Sequence, residues 1–185
     1  MPLDHPAIAR VLGAPLAAVD ANWPLIQSAL AAEGLADPMV IIGALATIGT
    51  ELPGFEPRRE LSPKGQDRDS YFVRMYWTNP ITRHRLGNLK PKDASAYFGR
   101  GFIQLTGRDN YDLYGGLLGL DLLGNPDLAL VPANAARIFA SFFRRSGAAL
   151  AAEAEDWFRV RMRVNGGSNG WERFAVLVNA LKREA

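Results

Sequence analysis

Two glutamates sit where acid/base chemistry could use them. Glu51 directly follows Met39 to Thr50, an apolar stretch free of breakers, and Glu60 lies nine residues further on, with Pro53-Gly54 and Pro57 able to turn the chain back. A helix C-terminus is electrostatically hostile to an acid by roughly 0.3–1 kcal/mol at exposed sites. That negative end, with Leu52 and Phe55 as apolar neighbours, would favour a protonated Glu51, the state a proton donor needs. Glu60 beside Arg58 and Arg59 would stay ionised, as a general base must. Two such carboxyls roughly 6.5–9.5 Å apart can split a glycosidic bond with inversion, leaving room for a water between them. On position alone both have plainer readings: Glu51 as a surface charge where a helix ends, Glu60 as a surface salt bridge with Arg58 or Arg59.

The densest polar signal is AYFGRGFIQLTGRDNY, residues 96 to 111. Gly99, Gly101 and Gly107 permit tight turns, while Gln104, Thr106 and Asn110 offer donors and acceptors for a sugar or a water. It is not a phosphate loop, since it lacks the third glycine of a dinucleotide fingerprint and any Gly-Lys-Ser/Thr. His5 and His84, with no cysteine and no HExxH, make no credible metal site. No Gly-x-Ser-x-Gly elbow marks a serine nucleophile. Trp23, Trp157 and Trp171 read as core residues, and Tyr76 and Trp77 as rings able to stack on a sugar.

These residues need elements to hold them. Asp4 can cap a helix over Pro6 to Leu12, and a second runs from Trp23 to Ala32 until Gly34 stops it. Met39 to Thr50 reads as a core helix. From Leu52 to Tyr97, eight prolines and glycines leave little room for long regular elements, so this is expected to be an ordered, loop-rich lobe. Helices are expected over Arg108 to Leu118, Pro132 to Arg145, Leu150 to Val164 and Trp171 to Arg183. The fold class is therefore mainly α with one irregular lobe, and a cleft between lobe and helices is the natural ligand site. The whole chain, 1-185, is expected to form one catalytic domain, with packing helices over 1-38 and the core over 39-185.

Composition bounds the rest. The 185 residues are 48% hydrophobic and 22% charged, with 21 basic and 19 acidic side chains and no cysteine. Disulfides and thiolate metal sites are excluded, and a formal charge of +2 is too balanced for a dedicated nucleic-acid protein. No apolar run approaches the roughly 20 residues of a bilayer span, and MPLDHPAIAR lacks a secretory pattern, so stable membrane insertion is not expected and synthesis in the cytoplasm is. The basic residues are bunched, at Arg58-Arg59, Arg83-His84-Arg85, Lys90/Lys92 and Arg159/Arg161/Arg163. They form either a solvated surface or a means of attraction to an anionic polymer such as a bacterial wall.

The segment FGRGFIQLTGRDNY closely resembles the signature of glycoside hydrolase family 19, which takes in chitinases and the phage or bacterial endolysins that degrade peptidoglycan. ATIGTELPGF, RLGN and VNGGSNG resemble three further family stretches in the right order, so the resemblance spans about residues 40 to 175. It implies a lysozyme-like helical domain without metal or organic cofactor. It implies Glu51 as general acid, Glu60 as second carboxylate and Thr106 as the hydroxyl that positions water. Gln104, Asn110 and Asn165 are implied to line the sugar cleft, with Tyr97 and Tyr111 counted among the substrate-binding residues. The family usually has His before the acid and a glycine-rich pair after it, where this chain has Thr50, Leu52 and Pro53. The longer loops and cysteines of plant chitinases are missing too, which points toward the compact endolysin branch.

The resulting expectation is a monomeric, inverting muramidase that cuts peptidoglycan between N-acetylmuramic acid and N-acetylglucosamine. It would accumulate in the cytoplasm, as of a phage-infected bacterium, and reach the wall through a lesion made by another protein. A chitinase is the alternative within the family. A catalytically inactive wall-binding protein is the alternative outside enzymes.

Overall fold

The computed structural model describes residues 3–185, which divide into two compact units: one holds the chain up to Glu56 together with Phe139–Ala185, the other Pro57–Ile138. No helix among the described residues is long and apolar enough to cross a membrane.

The first unit is helical. Helix α1 (His5–Leu12) begins where the Asp4 carboxylate accepts from Ala7 N at 2.7 Å, and it ends on Gly13 at φ 67°. Helix α2 (Leu16–Ala32) starts seven residues before the expected Trp23 and runs through Pro24. A proline there removes one helical hydrogen bond. The continuous buried face of Ala18, Val19, Trp23 and Ile26 offsets that loss. Helix α3 (Pro38–Glu51) is capped by Asp37, which accepts from Met39 N and Val40 N, and is fully buried from Ile42 to Gly49. It is the core of this unit.

Close approach to α3 depends on two glycines. A Cβ at Gly49 would fall 2.7 Å from a Leu12 methyl of α1 and 3.1 Å from Leu177 of α11 (Trp171–Glu184). One at Gly43 would fall 3.1 Å from Ala152 of α9 (Ala148–Glu153). The single helix expected over Leu150 to Val164 is in fact two, α9 and α10 (Trp157–Asn165). Glu155 takes φ 55°, outside helical space, and Asp156 then caps α10 by accepting from Arg159 N. Trp23 is a core residue, 2% exposed, but Trp157 and Trp171 are only half-buried, and the edge of one ring of the Trp171–Phe158 pair meets the face of the other.

In the second unit the expected loop-rich stretch carries three short helices, α4 (Arg68–Tyr76), α5 (Pro80–Arg85) and α6 (Pro91–Ala96). Pro80 and Pro91 open helices instead of breaking them, because the first turn has no use for their missing N–H. Asp67 and Asn79 cap α4 and α5 through their side chains. Strand β1 (Arg58–Arg59) pairs antiparallel with β2 (Arg100–Gly101), with Arg58 opposite Gly101 and Arg59 opposite Arg100. Helix α7 (Arg108–Leu118) follows, then a 3₁₀ turn (Pro126–Leu130) and α8 (Pro132–Arg145), which continues into the first unit.

Arg100, 5% exposed, organises this unit. Its Nη1 donates to Ala96 O at 2.9 Å, Phe98 O at 3.0 Å and the Tyr111 hydroxyl at 3.0 Å, while Nε donates to Asp127 at 2.9 Å. The guanidinium also lies 3.8 Å above the Phe98 ring. Asp127 binds Arg59 as well, so one carboxylate ties both strands. Arg100→Met would orphan the Ala96 carbonyl and leave the Tyr111 hydroxyl without its donor, at about 3 kcal/mol in all. Asp127→Asn keeps an acceptor oxygen for Arg100 at a side chain that is itself 48% exposed, and would cost less, about 1 kcal/mol. Urea unfolding of both variants checks this ordering, which a near-equal loss would contradict.

Candidate active site

Glu51 closes α3, its side chain 30% exposed, while Leu52 and Phe55 turn into the core. The group that meets its Oε1 is the guanidinium of Arg161, itself 3% exposed. The apolar surroundings expected for Glu51 are thus replaced by a buried cation from α10. Arg161 also donates through Nε to Asn169 O at 2.5 Å, which joins Glu51 to the loop of residues 166–170. Gly170, at φ 74°, packs so closely that a Cβ would lie 3.0 Å from Arg161 Nη2 and 3.1 Å from the Thr50 methyl. Arg173 donates to Gly49 O through Nε and Nη2, both at 3.2 Å, so two arginines complement the negative end of α3. Asn165 is exposed at the end of α10, 3.5 Å from Asn169 O.

The other expected residues gather in the second unit. Glu60 accepts at Oε1 from the Tyr76 hydroxyl, 2.6 Å away, and at Oε2 from Gly99 N at 3.1 Å. Its own N–H donates to Gly99 O at 2.8 Å. Of the neighbouring arginines foreseen as its partner, Arg59 pairs with Asp127 instead. Burial, then the Glu60 carboxylate, push the Tyr76 phenol far above its ordinary value, so it remains a donor across the working pH range. Gly99 is required here: a Cβ would fall 2.9 Å from Gln104 Oε1 and 3.0 Å from Glu60 Oε2.

The signature's polar side chains brace its own backbone. Gln104, at φ 53°, donates to Arg58 O at 3.0 Å and Gly101 O at 3.1 Å. Thr106 donates to Gln104 O at 2.8 Å, and Asn110 to Thr106 O at 2.7 Å. The Thr106 oxygen can still accept from a water. Tyr97 is half-buried and donates to Leu123 O at 3.2 Å, and its phenol is raised by burial and then by Asp93. Tyr111 departs from expectation. It is fully buried, donates to Phe98 O at 2.8 Å and accepts from Arg100, so it holds the loop from inside and has no face for a sugar. Burial pushes its phenol up to about 12.

Tyr76 was foreseen only as a sugar-stacking ring, and Arg161 only as one of a basic bunch. Arg161 was recoverable: it stands one helical turn from Trp157, whereas Arg159 and Arg163 point elsewhere. Nothing in the sequence pairs Tyr76 with Glu60. Trp77 is covered by Arg83, 4.5 Å from the ring centre. His5 meets Asp20 at 2.7 Å and His84 is exposed.

Tyr76→Phe should destabilise the fold by about 1.5–3 kcal/mol, the range for a hydrogen bond to a charged group. Gly99→Ala should also destabilise it, because the methyl would displace Glu60 or Gln104. Denaturant unfolding measures both, and no change in either would mean that Glu60 is not anchored at this turn.

Residues 80–145 match the family model described as Chitinase class I, a span that takes in the signature and lies between Glu60 and Asn165. Chitinase 8 of Oryza sativa subsp. japonica is 69% identical over 32 residues, 17% of this chain and 12% of that protein. A glycosyl hydrolase family 19 domain-containing protein of Haemophilus influenzae is 36% identical over 110 residues, 56% of this chain and 50% of its own length. These matches take in half or less of either relative. Chitinase C from Streptomyces griseus HUT6037 shares the mainly α fold, with a TM-score of 0.66 at 18% identity over 97% of this chain and 76% of that one. In its matched segment and its fold, the chain is similar to chitinase-like proteins of glycoside hydrolase family 19.

Proposed function

We propose that the chain is a glycoside hydrolase that cuts the β-1,4 bond between N-acetylmuramic acid and N-acetylglucosamine in peptidoglycan, with inversion. One observation carries the chemistry: the Glu60 carboxylate is fixed through both oxygens, by Tyr76 and by Gly99 N, on the glycine turn of the signature loop. A base that must take a proton from water at one point in space benefits from such fixing. Thr106, on the same loop, orients that water. Glu51, partly exposed and steadied by Arg161, delivers the proton to the leaving oxygen. Gln104, Asn110, Tyr97 and Asn165 stand at or behind the sugar-binding surface.

A second reading, a chitinase, is favoured by the names of the relatives and of the solved structure. The two share their carboxylates and differ only in whether the lactyl and peptide groups of the wall polymer are accommodated. Peptidoglycan and chitin oligosaccharides, each incubated with unsubstituted protein and with Glu51→Gln, separate them by mass spectrometry of the products. The expected result is fragments ending in reducing N-acetylmuramic acid, with turnover lowered about 10²- to 10⁴-fold by the substitution. Chitin fragments alone would select the chitinase. No product from either polymer would select an inactive wall-binding protein.

A further inference from the structure

The formal charge of +2 conceals a division. Residues 57–138 hold twelve Lys and Arg against eight Asp and Glu, a net +4, and the remainder hold nine against eleven, a net −2. Within the positive unit no acidic residue occurs from Ser70 to Lys92, a stretch with five basic ones: Arg74, Arg83, Arg85, Lys90 and Lys92.

The structure separates the four basic bunches of the sequence. Arg59 is tied to Asp127, and the Arg58 side of that strand is engaged too. Arg161 is buried on Glu51, and Arg159 meets Asp156 at 3.1 Å. Arg83, Arg85, Lys90 and Lys92 are different: among the described residues none of them takes part in an ion pair. The last turn of α5 and the first of α6 carry them, joined by a short turn, and Arg85, Lys90 and Lys92 are exposed. Two carboxylates are near. Asp93 is buried and accepts from Leu89 N and Lys90 N, and Asp109 lies against the Gly87 backbone. Neither carboxylate is paired with one of the four cations.

We infer that the α5–α6 turn is a docking surface for a phosphodiester-linked wall polymer, a linear polyanion with a charge on each repeat. The inference rests on the wall as substrate. Arginine forks and lysine ammoniums bind phosphate as matched charges, and a flexible chain needs no shaped pocket to reach four of them. Nucleic acid fits less well. Helix α5 has six residues, and the Trp77 ring is capped by Arg83 instead of bared for stacking on bases.

The test uses the full chain as Glu51→Gln, so that the wall is not consumed. Its binding to Gram-positive walls, intact or stripped of phosphate polymer by hydrofluoric acid, is followed from about 50 to about 200 mM salt. Four phosphate contacts predict a roughly 50-fold fall in affinity over that range. Adding Arg83→Gln, Arg85→Gln, Lys90→Gln and Lys92→Gln should lower the slope of log K against log salt by about 2–3, to the level of stripped walls. A version retaining Arg83 keeps the cover on Trp77 and guards against misfolding, and it should show about three-quarters of that effect. Equal binding to intact and stripped walls, or an unchanged slope, would overturn the inference. Tighter capture by duplex DNA or by anionic phospholipid vesicles than by intact walls would do so too. Wall cleavage is read separately on the unsubstituted chain: its absence would sink the proposed function while the binding data still decide this surface.

Discussion

The buried guanidinium of Arg100 is the contact on which the second unit turns. Residues 96 to 105 have almost no regular structure to satisfy their carbonyls, and a buried carbonyl without a partner costs about 1–3 kcal/mol. One planar cation answers two of them, the Tyr111 hydroxyl and Asp127 together. With Phe98 and Arg100 fixed, the Gly99 peptide between them has one orientation, and its N–H points at Glu60. The proposed base is thereby placed by a residue that does not touch it.

The first unit uses the same device at the opposite charge balance. The end of α3 concentrates carbonyl dipoles and a carboxylate, and Arg161 and Arg173 answer both. Arg161 adds the carbonyl of Asn169, so the glycine-rich loop and Glu51 are set by one side chain. In each unit a proposed carboxylate is thus held by a group reaching in from another element, Tyr76 of α4 or Arg161 of α10. That accounts for why conformationally permissive glycines, Gly99 and Gly170, adjoin both: a Cβ at either would meet the holding group or the carboxylate itself.

Much of the fold was legible because its punctuation is local. Pro132 at a first turn and Asp4 before Pro6 mark helix ends that the structure reproduces. The misses have a common cause, tertiary burial overriding local rules. Helix α2 begins at Leu16 instead of Trp23 because Ala18 and Val19 join Trp23 and Ile26 in the core, and Glu155 broke a helix that periodicity would have continued. For the site, the residue types and the signature were readable, but the partners were not. Arg161 is 110 residues from Glu51 and Gly99 is 39 from Glu60. Tyr111 shows the converse: an aromatic residue in a binding signature can serve the loop and not the ligand.

The proposed mechanism, with one carboxylate as acid and one as base, requires inversion at the anomeric carbon. The anomeric configuration of the first product tests it most directly, followed by proton NMR within the first minutes of hydrolysis, before mutarotation. From a β-linked wall glycan or chitin oligosaccharide the α-anomer is expected to appear first. A β-anomer appearing first would mean a covalent intermediate or substrate assistance, and would contradict the assignment of Glu60 as the base that activates water.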